Sequence, residues 1–203
     1  MNKIVTLAAA MLFVSVAFAD DADHAYLEFD SRDRLIVSGP FNVIIPKPDG
    51  ARPAGPVHSN PRFMREQLRL SKAGYFVDDR FVVVEIETTD AGAGTLSYAH
   101  LPTIELAGQE FHTRTACVEI SQAELDAGDD PLLEFVESQG FDLQPAVYAR
   151  QLLITTDDGS GEGVILYARR VNDCGDVTVE FEQEFDGQFE RFIKSIRDAN
   201  PKR

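Results

Sequence analysis

The stretch "ARQLLITTDDGSGEGVILYARRV", residues 149–171, decides how this chain is read. Two runs rich in Leu, Ile, Val and Tyr flank a cluster of Asp, Gly and Ser. Runs of this length and β-branched content read as strands, and the polar, glycine-rich centre reads as the turn between them. The phrase "DGSGEG", residues 158–163, superficially suggests a phosphate loop. No Lys-Ser/Thr follows its glycines and the spacing matches neither nucleotide fingerprint, so a hairpin loop is the better assignment.

Working outward, the same grammar repeats. "RFVVVEIETT", residues 80–89, is a dense strand, followed by the turn "DAGAG" and by "TLSYAHL", which together predict another hairpin. "TIELAG" and "EFHTRTACVEI" predict a further pair that bends near Gly108. Upstream, "AYLEF" and "RLIVS" form short strands around "DSRD", and "FNVIIP" is a third apolar run. "DVTVEFEQEF", residues 176–185, alternates apolar and acidic residues and predicts a strand with one wet face. Residues 46–61, "PKPDGARPAGPVHSNP", carry five prolines and predict a long loop, since proline removes ladder donors and breaks helices.

Helix signals are fewer. Ser121 with Glu124 is a capping box, and Asp130-Pro131 opens a second short helix stopped by Gly140. Asn60-Pro61 could cap a helix starting near Arg62, which Phe63, Met64, Leu68 and Leu70 fit moderately, with a strand as the alternative for its second half. Phe189, Phe192, Ile193 and Ile196 follow i, i+3, i+4, i+7 spacing, the stripe of an amphipathic closing helix. Hairpins outnumber helices, which predicts an α+β domain: an antiparallel sheet built from hairpins with two or three helices packed on it.

The N-terminal "MNKIVTLAAAMLFVSVAFADDADH" has a positive start, a short apolar run and the small-x-small site Ala17-Phe18-Ala19. This is the pattern of a secretory signal peptide over residues 1–19, too short to span a membrane. The expected mature chain, residues 20–203, is one domain of 184 residues. It has no cysteine near the cut to carry a lipid anchor. Export to the periplasm or the exterior follows.

The full chain carries a net charge of −15, and losing Lys3 leaves the mature chain at −16. A surface so acidic argues against nucleic acid as a partner. Residues 51–77 run against this trend: Arg52, Arg62, Arg65, Arg69 and Lys72 face Glu66 alone. On the expected helix, Arg62, Arg65 and Arg69 share one face. That face could take an anionic ligand or an acidic envelope protein, or rest against the protein's own acids.

There are two cysteines. His112 lies five residues before Cys117, which in a strand places the two on opposite faces, about 16 Å apart, so they form no catalytic dyad. In an exported chain a Cys117–Cys174 disulfide is the economical reading. It closes a loop worth about 4 kcal/mol in the chain-entropy model.

No nucleophile elbow and no paired-histidine zinc motif is present among His24, His58, His100 and His112. The acids Asp126, Asp129 and Asp130, and Asp157, Asp158 and Glu162, lack the pattern of a calcium loop. No cofactor, metal or catalytic residue is assigned. Three functional readings stand: a non-catalytic exported binding or assembly module using Arg62, Arg65 and Arg69; an exported hydrolase using carboxylates or His112; and a calcium-binding envelope protein.

The closing "FDGQFERFIKSI", through Phe189, Phe192, Ile193 and Ser195, resembles the last helix of the Mog1/PsbP/DcrB-like superfamily, and "FNVIIP" resembles its early strand. The resemblance implies a helix-flanked antiparallel sheet and a non-enzymatic assembly or binding role. It transfers no site residue.

Overall fold

The computed structural model describes residues 26–63, 66–89, 98–128 and 130–201. The expected signal peptide, the turn "DAGAG", Asp129 and Arg65 lie outside the described residues. The architecture is α+β, with two antiparallel sheets and three helices.

β1 (Leu27–Phe29), β2 (Leu35–Val37) and β3 (Val43–Ile45) make a small meander. The large sheet contains β4 (Arg52–Ser59), β5 (Arg62–Phe63), β6 (Glu66–Val77), β7 (Arg80–Thr89), β8 (Thr103–Leu106), β9 (Gln109–Glu119), β10 (Ala146–Thr155) and β11 (Gly161–Val171). Its spatial order is β4-β6-β7-β11-β10-β9-β8, with β5 pairing β6. The helices are α1 (Gln122–Ala127), α2 (Pro131–Ser138) and α3 (Val179–Ala199).

Alternation along the strands builds two cores. Ala73, Tyr75, Val82, Val84, Ile86, Leu152, Ile165 and Tyr167 point to one face, where β1–β3 and α3 cover them. Helix α3 lays down Phe185, Phe189, Phe192, Ile193 and Ile196 there. Its end is tied to β3: Asn200 Oδ1 accepts from the Ile44 N–H at 2.9 Å, and Nδ2 donates to the Ile44 carbonyl at 2.7 Å. Phe76, Phe81, Val83, Val147, Leu166 and Ala168 point to the other face. There α1 and α2 bring Leu125, Leu132, Phe135 and Val136 over one end of the strands.

The hairpin of residues 149–171 forms as β10 and β11, in register from Ala146↔Val171 to Thr155↔Glu162. Its loop is shorter than expected, because Gly161 and Gly163 belong to the strand. They are there to make room. A Cβ on Gly163 would come within 2.1 Å of the Phe41 ring, and one on Gly161 within 2.8 Å of Pro40. The β8–β9 hairpin, the capping box of α1, the Asp130 cap of α2 and the three strands around "DSRD" also form as read.

Four expectations are corrected. Residues 52–59 are not loop but edge strand β4. An edge needs donors on one side only, so Pro53 and Pro56 are tolerated, and the register shifts between Ala54 and Val57 at Gly55, whose φ is 86°. The helix expected from Arg62 is absent. Arg62↔Gln67 and Phe63↔Glu66 continue the register of Val57↔Lys72 and Ser59↔Leu70, so β4, β5 and β6 form one long hairpin. Strand β7 has β6 on one side and β11 on the other, so it is not the hairpin partner of "TLSYAHL", of which only residues 98–101 are described. Finally, "DVTVEFEQEF" is mostly helix: the Thr178 side chain caps α3 through the Phe181 N–H at 3.2 Å. Its alternation is incidental, and the i, i+4 pair Phe181 and Phe185 carries the packing.

Candidate functional site

Among the described residues, α1 and α2 cover one end of the second face of the sheet; its other end is polar and carries Tyr98. The register lines up its side chains in rows. One row runs Lys72, Glu85, Val164, Leu153, His112 and Thr103 across β6, β7, β11, β10, β9 and β8. The next runs Leu70, Glu87, Glu162 and Thr155. Strand β7 sits near the middle of the sheet. Its dense start "FVVV" is buried on both faces, whereas Glu85 and Glu87 alternate with Val84 and Ile86 and reach only the polar end.

Lys72 is 4 % exposed, and its Nζ lies 3.4 Å from Glu85 Oε2. Burial raises the Glu85 pKa, and the Lys72 charge opposes that rise. Glu87 stands directly across from Glu162 on β11. Burial, then the charges of Glu162 and Glu85, lift Glu87 to about 7, with Lys72 again opposing. Burial also raises Glu162, against the Tyr98 hydroxyl, which donates to its Oε1, and the Arg114 charge. The same burial, together with Glu162, raises the Tyr98 phenol. Asp130 is raised by burial while its oxygen accepts from the Leu132 and Leu133 N–H groups at 2.8 and 3.1 Å. Arg114 Nε donates to Gln151 Oε1 at 2.8 Å, one row further in.

Sequence reasoning missed this strip. A signal was present: two acids inside a β-branched run that must be a central strand, where charged residues are rare unless paired. Their partners Lys72 and Glu162 come from β6 and β11, and no spacing rule connects those segments.

The sequence-predicted residues fare differently. Cys117 and Cys174 are bonded, with Cα atoms 5.6 Å apart, which joins β9 to the short 3-10 turn Cys174–Asp176. His112 faces the polar strip, across from Leu153, while Cys117 lies across from Tyr148 on the other face. The His112 ring lies 6.2 Å from the Tyr98 ring, and its Nδ1 is buried without a hydrogen-bond partner among the described residues. Within the basic segment, Arg52 Nη2 donates to the Gln139 carbonyl at 2.7 Å and Lys72 pairs with Glu85, so both serve the fold. Arg62 and Arg69 lie on opposite arms of the long hairpin, not on one helical face; Arg65 is outside the described residues.

Of the two acid clusters, Asp130 caps α2, Asp158 closes a turn, Glu162 belongs to the polar strip, and Asp129 lies outside the described residues. Asp158 accepts from the Ser160 N–H at 3.0 Å and from the Thr156 hydroxyl at 2.7 Å, and these bonds hold its pKa at about 2. Among the described residues no group of three His, Cys, Asp or Glu side chains is placed to hold a metal ion. No described helix is long and apolar enough to cross a membrane. Shallow depressions include one of about 210 Å³ beside Arg52, Phe76 and Phe141 and another of about 300 Å³ beside Glu105, Gly108 and Asn200. Neither contains the acidic strip. No family model, no curated protein and no solved structure matches the chain.

Proposed function

We propose that this chain is an exported, non-catalytic binding or assembly module that engages an acidic envelope protein or anionic ligand through the far part of the β4–β5–β6 hairpin. The observation that carries this reading is the placement of positive charge. Within a chain of net charge −15, Arg62 and Arg69 lie on the two arms of one hairpin, and Arg65 lies between them in sequence. The described ladder between β6 and β7 begins at Leu68, and among the described residues β5 and the start of β6 pair with each other. The excess of positive over negative residues between 62 and 69, three Arg to one Glu, favours an oppositely charged partner and speeds encounter. Export to the periplasm or exterior is supported by the N-terminal pattern and by the disulfide. The likeness of the closing helix to the Mog1/PsbP/DcrB-like superfamily points the same way.

The test is charge reversal. R62E/R65E/R69E, with a folded spectrum, should lose capture of the partner from an envelope fraction; undiminished capture refutes the reading. A second reading, hydrolysis, draws on the acidic strip, because a carboxyl that titrates near 7 suits general acid–base work. It requires a substrate cleft over Glu87, and a hydrolase screen in which wild type and E87Q are equally inactive removes it. Calcium binding predicts a melting temperature that rises with added calcium.

A further inference from the structure

The binding reading makes no use of the Glu87–Glu162 pair, which has an unusual layout. Directly opposed residues on neighbouring antiparallel strands hold their Cβ atoms about 5 Å apart, and like charges there repel. Glu85 precedes Glu87 by two positions on the same face, and Asp130 reaches this strip from the cap of α2. Against these four carboxyls stand Lys72 on β6, already paired with Glu85, and Arg114 on β9, already bonded to Gln151. The remaining neighbours, Leu70 on β6 and Thr155 on β10, are uncharged, and His112 on β9 faces Tyr98. Glu87 has no hydrogen-bond partner among the described residues, whereas Glu162 accepts from the Tyr98 hydroxyl.

Tyr98 belongs to the turn of residues 98–101, closed by the Leu101 N–H on the Tyr98 carbonyl at 2.8 Å. That turn rests on the strip through Tyr98, by its bond to Glu162 and its contact with His112. We propose that the Glu87–Glu162 pair is a proton-operated latch for this turn: with one proton on the pair the Tyr98 turn stays seated, and with both carboxyls ionised it lifts. The balance is simple. In the seated state Glu87 is neutral and Glu162 carries the charge that Tyr98 solvates. Loss of the Glu87 proton to water puts a second charge against the first, and hydrating both requires moving the tyrosine that covers Glu162. A proton can therefore control access to the polar strip without a covalent change.

Two readouts test this in the folded protein. The first is a carboxyl-carbon NMR titration of Glu87. The second is amide exchange at Leu101, corrected for intrinsic rate, between pH 5.5 and 8.5. Glu87 should titrate near neutrality, and Leu101 protection should fall about tenfold or more across its midpoint in wild type. In E87Q, protection should not change with pH. E162Q removes the same repulsion and serves if E87Q does not fold. Titration of Glu87 in the ordinary carboxylate range overturns the proposal. So does protection that ignores pH in wild type, or that follows pH equally in the variants.

Discussion

Replacing Lys72 by methionine tests the physical account of the polar strip. Lys72 is 4 % exposed and lies 3.4 Å from Glu85, whose side chain is 23 % exposed. Methionine keeps the bulk and removes the charge. Glu85 is then left half-buried without its cation, and breaking a buried pair from one side costs about 3–5 kcal/mol. The cost must depend on pH. Burial already raises the folded pKa of Glu85, and losing Lys72 raises it further. A carboxyl raised on folding destabilises the native state above its unfolded pKa, because the unfolded chain then gives up its proton first. The deficit of K72M should therefore be larger at pH 8 than at pH 5, because lowering the pH favours the protonated form of Glu85. Replacing both partners, K72M/E85L, should recover most of the loss, since an apolar pair of similar volume substitutes well for a buried ion pair. Urea unfolding at the two pH values measures all of this. A deficit below about 1 kcal/mol, or one equal at both pH values, refutes the reasoning.

Two further perturbations probe the frame. Removing the Cys117–Cys174 bond, by C117A/C174A or by reduction, should cost about 4 kcal/mol, read as a fall in melting temperature of roughly 10 °C; a shift of a degree or two would show that the bond constrains little. Gly163→Ala drives a methyl into the Phe41 ring and should cost about 1–3 kcal/mol, while in the Phe41→Ala background the same change should cost almost nothing. Additive losses would separate the two residues.

The parts of the fold that could be read in the sequence are those whose signals are local. The β10–β11 and β8–β9 hairpins, the Ser121 and Asp130 caps and the Phe/Ile stripe of α3 each rest on residues a few positions apart. The disulfide followed from parity and compartment rather than geometry. The misreadings share one cause, which is that tertiary position overrides local preference. Proline-rich 52–59 is a strand because it lies at an edge. Residues 62–63 and 66–69 are strand because the hairpin register continues through them. The start of α3 alternates like a strand, yet the Thr178 cap and the aromatic seat around Tyr148 and Tyr167 hold it helical. Strand β7 was placed correctly but given the wrong partner: β6 joins it through the two-residue turn Asp78-Asp79, which was not read as a hairpin, and β11 joins it through pairings 73 to 89 residues apart that no local pattern encodes. The polar strip was illegible for the same reason: Lys72, Glu85, Glu87, Tyr98 and Glu162 meet only once the sheet order is known.

The most direct test of the proposed function places a photocrosslinking residue at exposed Gln67, on the far part of the basic hairpin, and in parallel at exposed Glu190 on α3. Crosslinking in the native envelope to one defined partner from position 67, lost in R62E/R65E/R69E and absent from position 190, is the expected result. Equal adducts from both positions, or adducts at 67 that survive the charge reversal, would contradict a binding role for this hairpin.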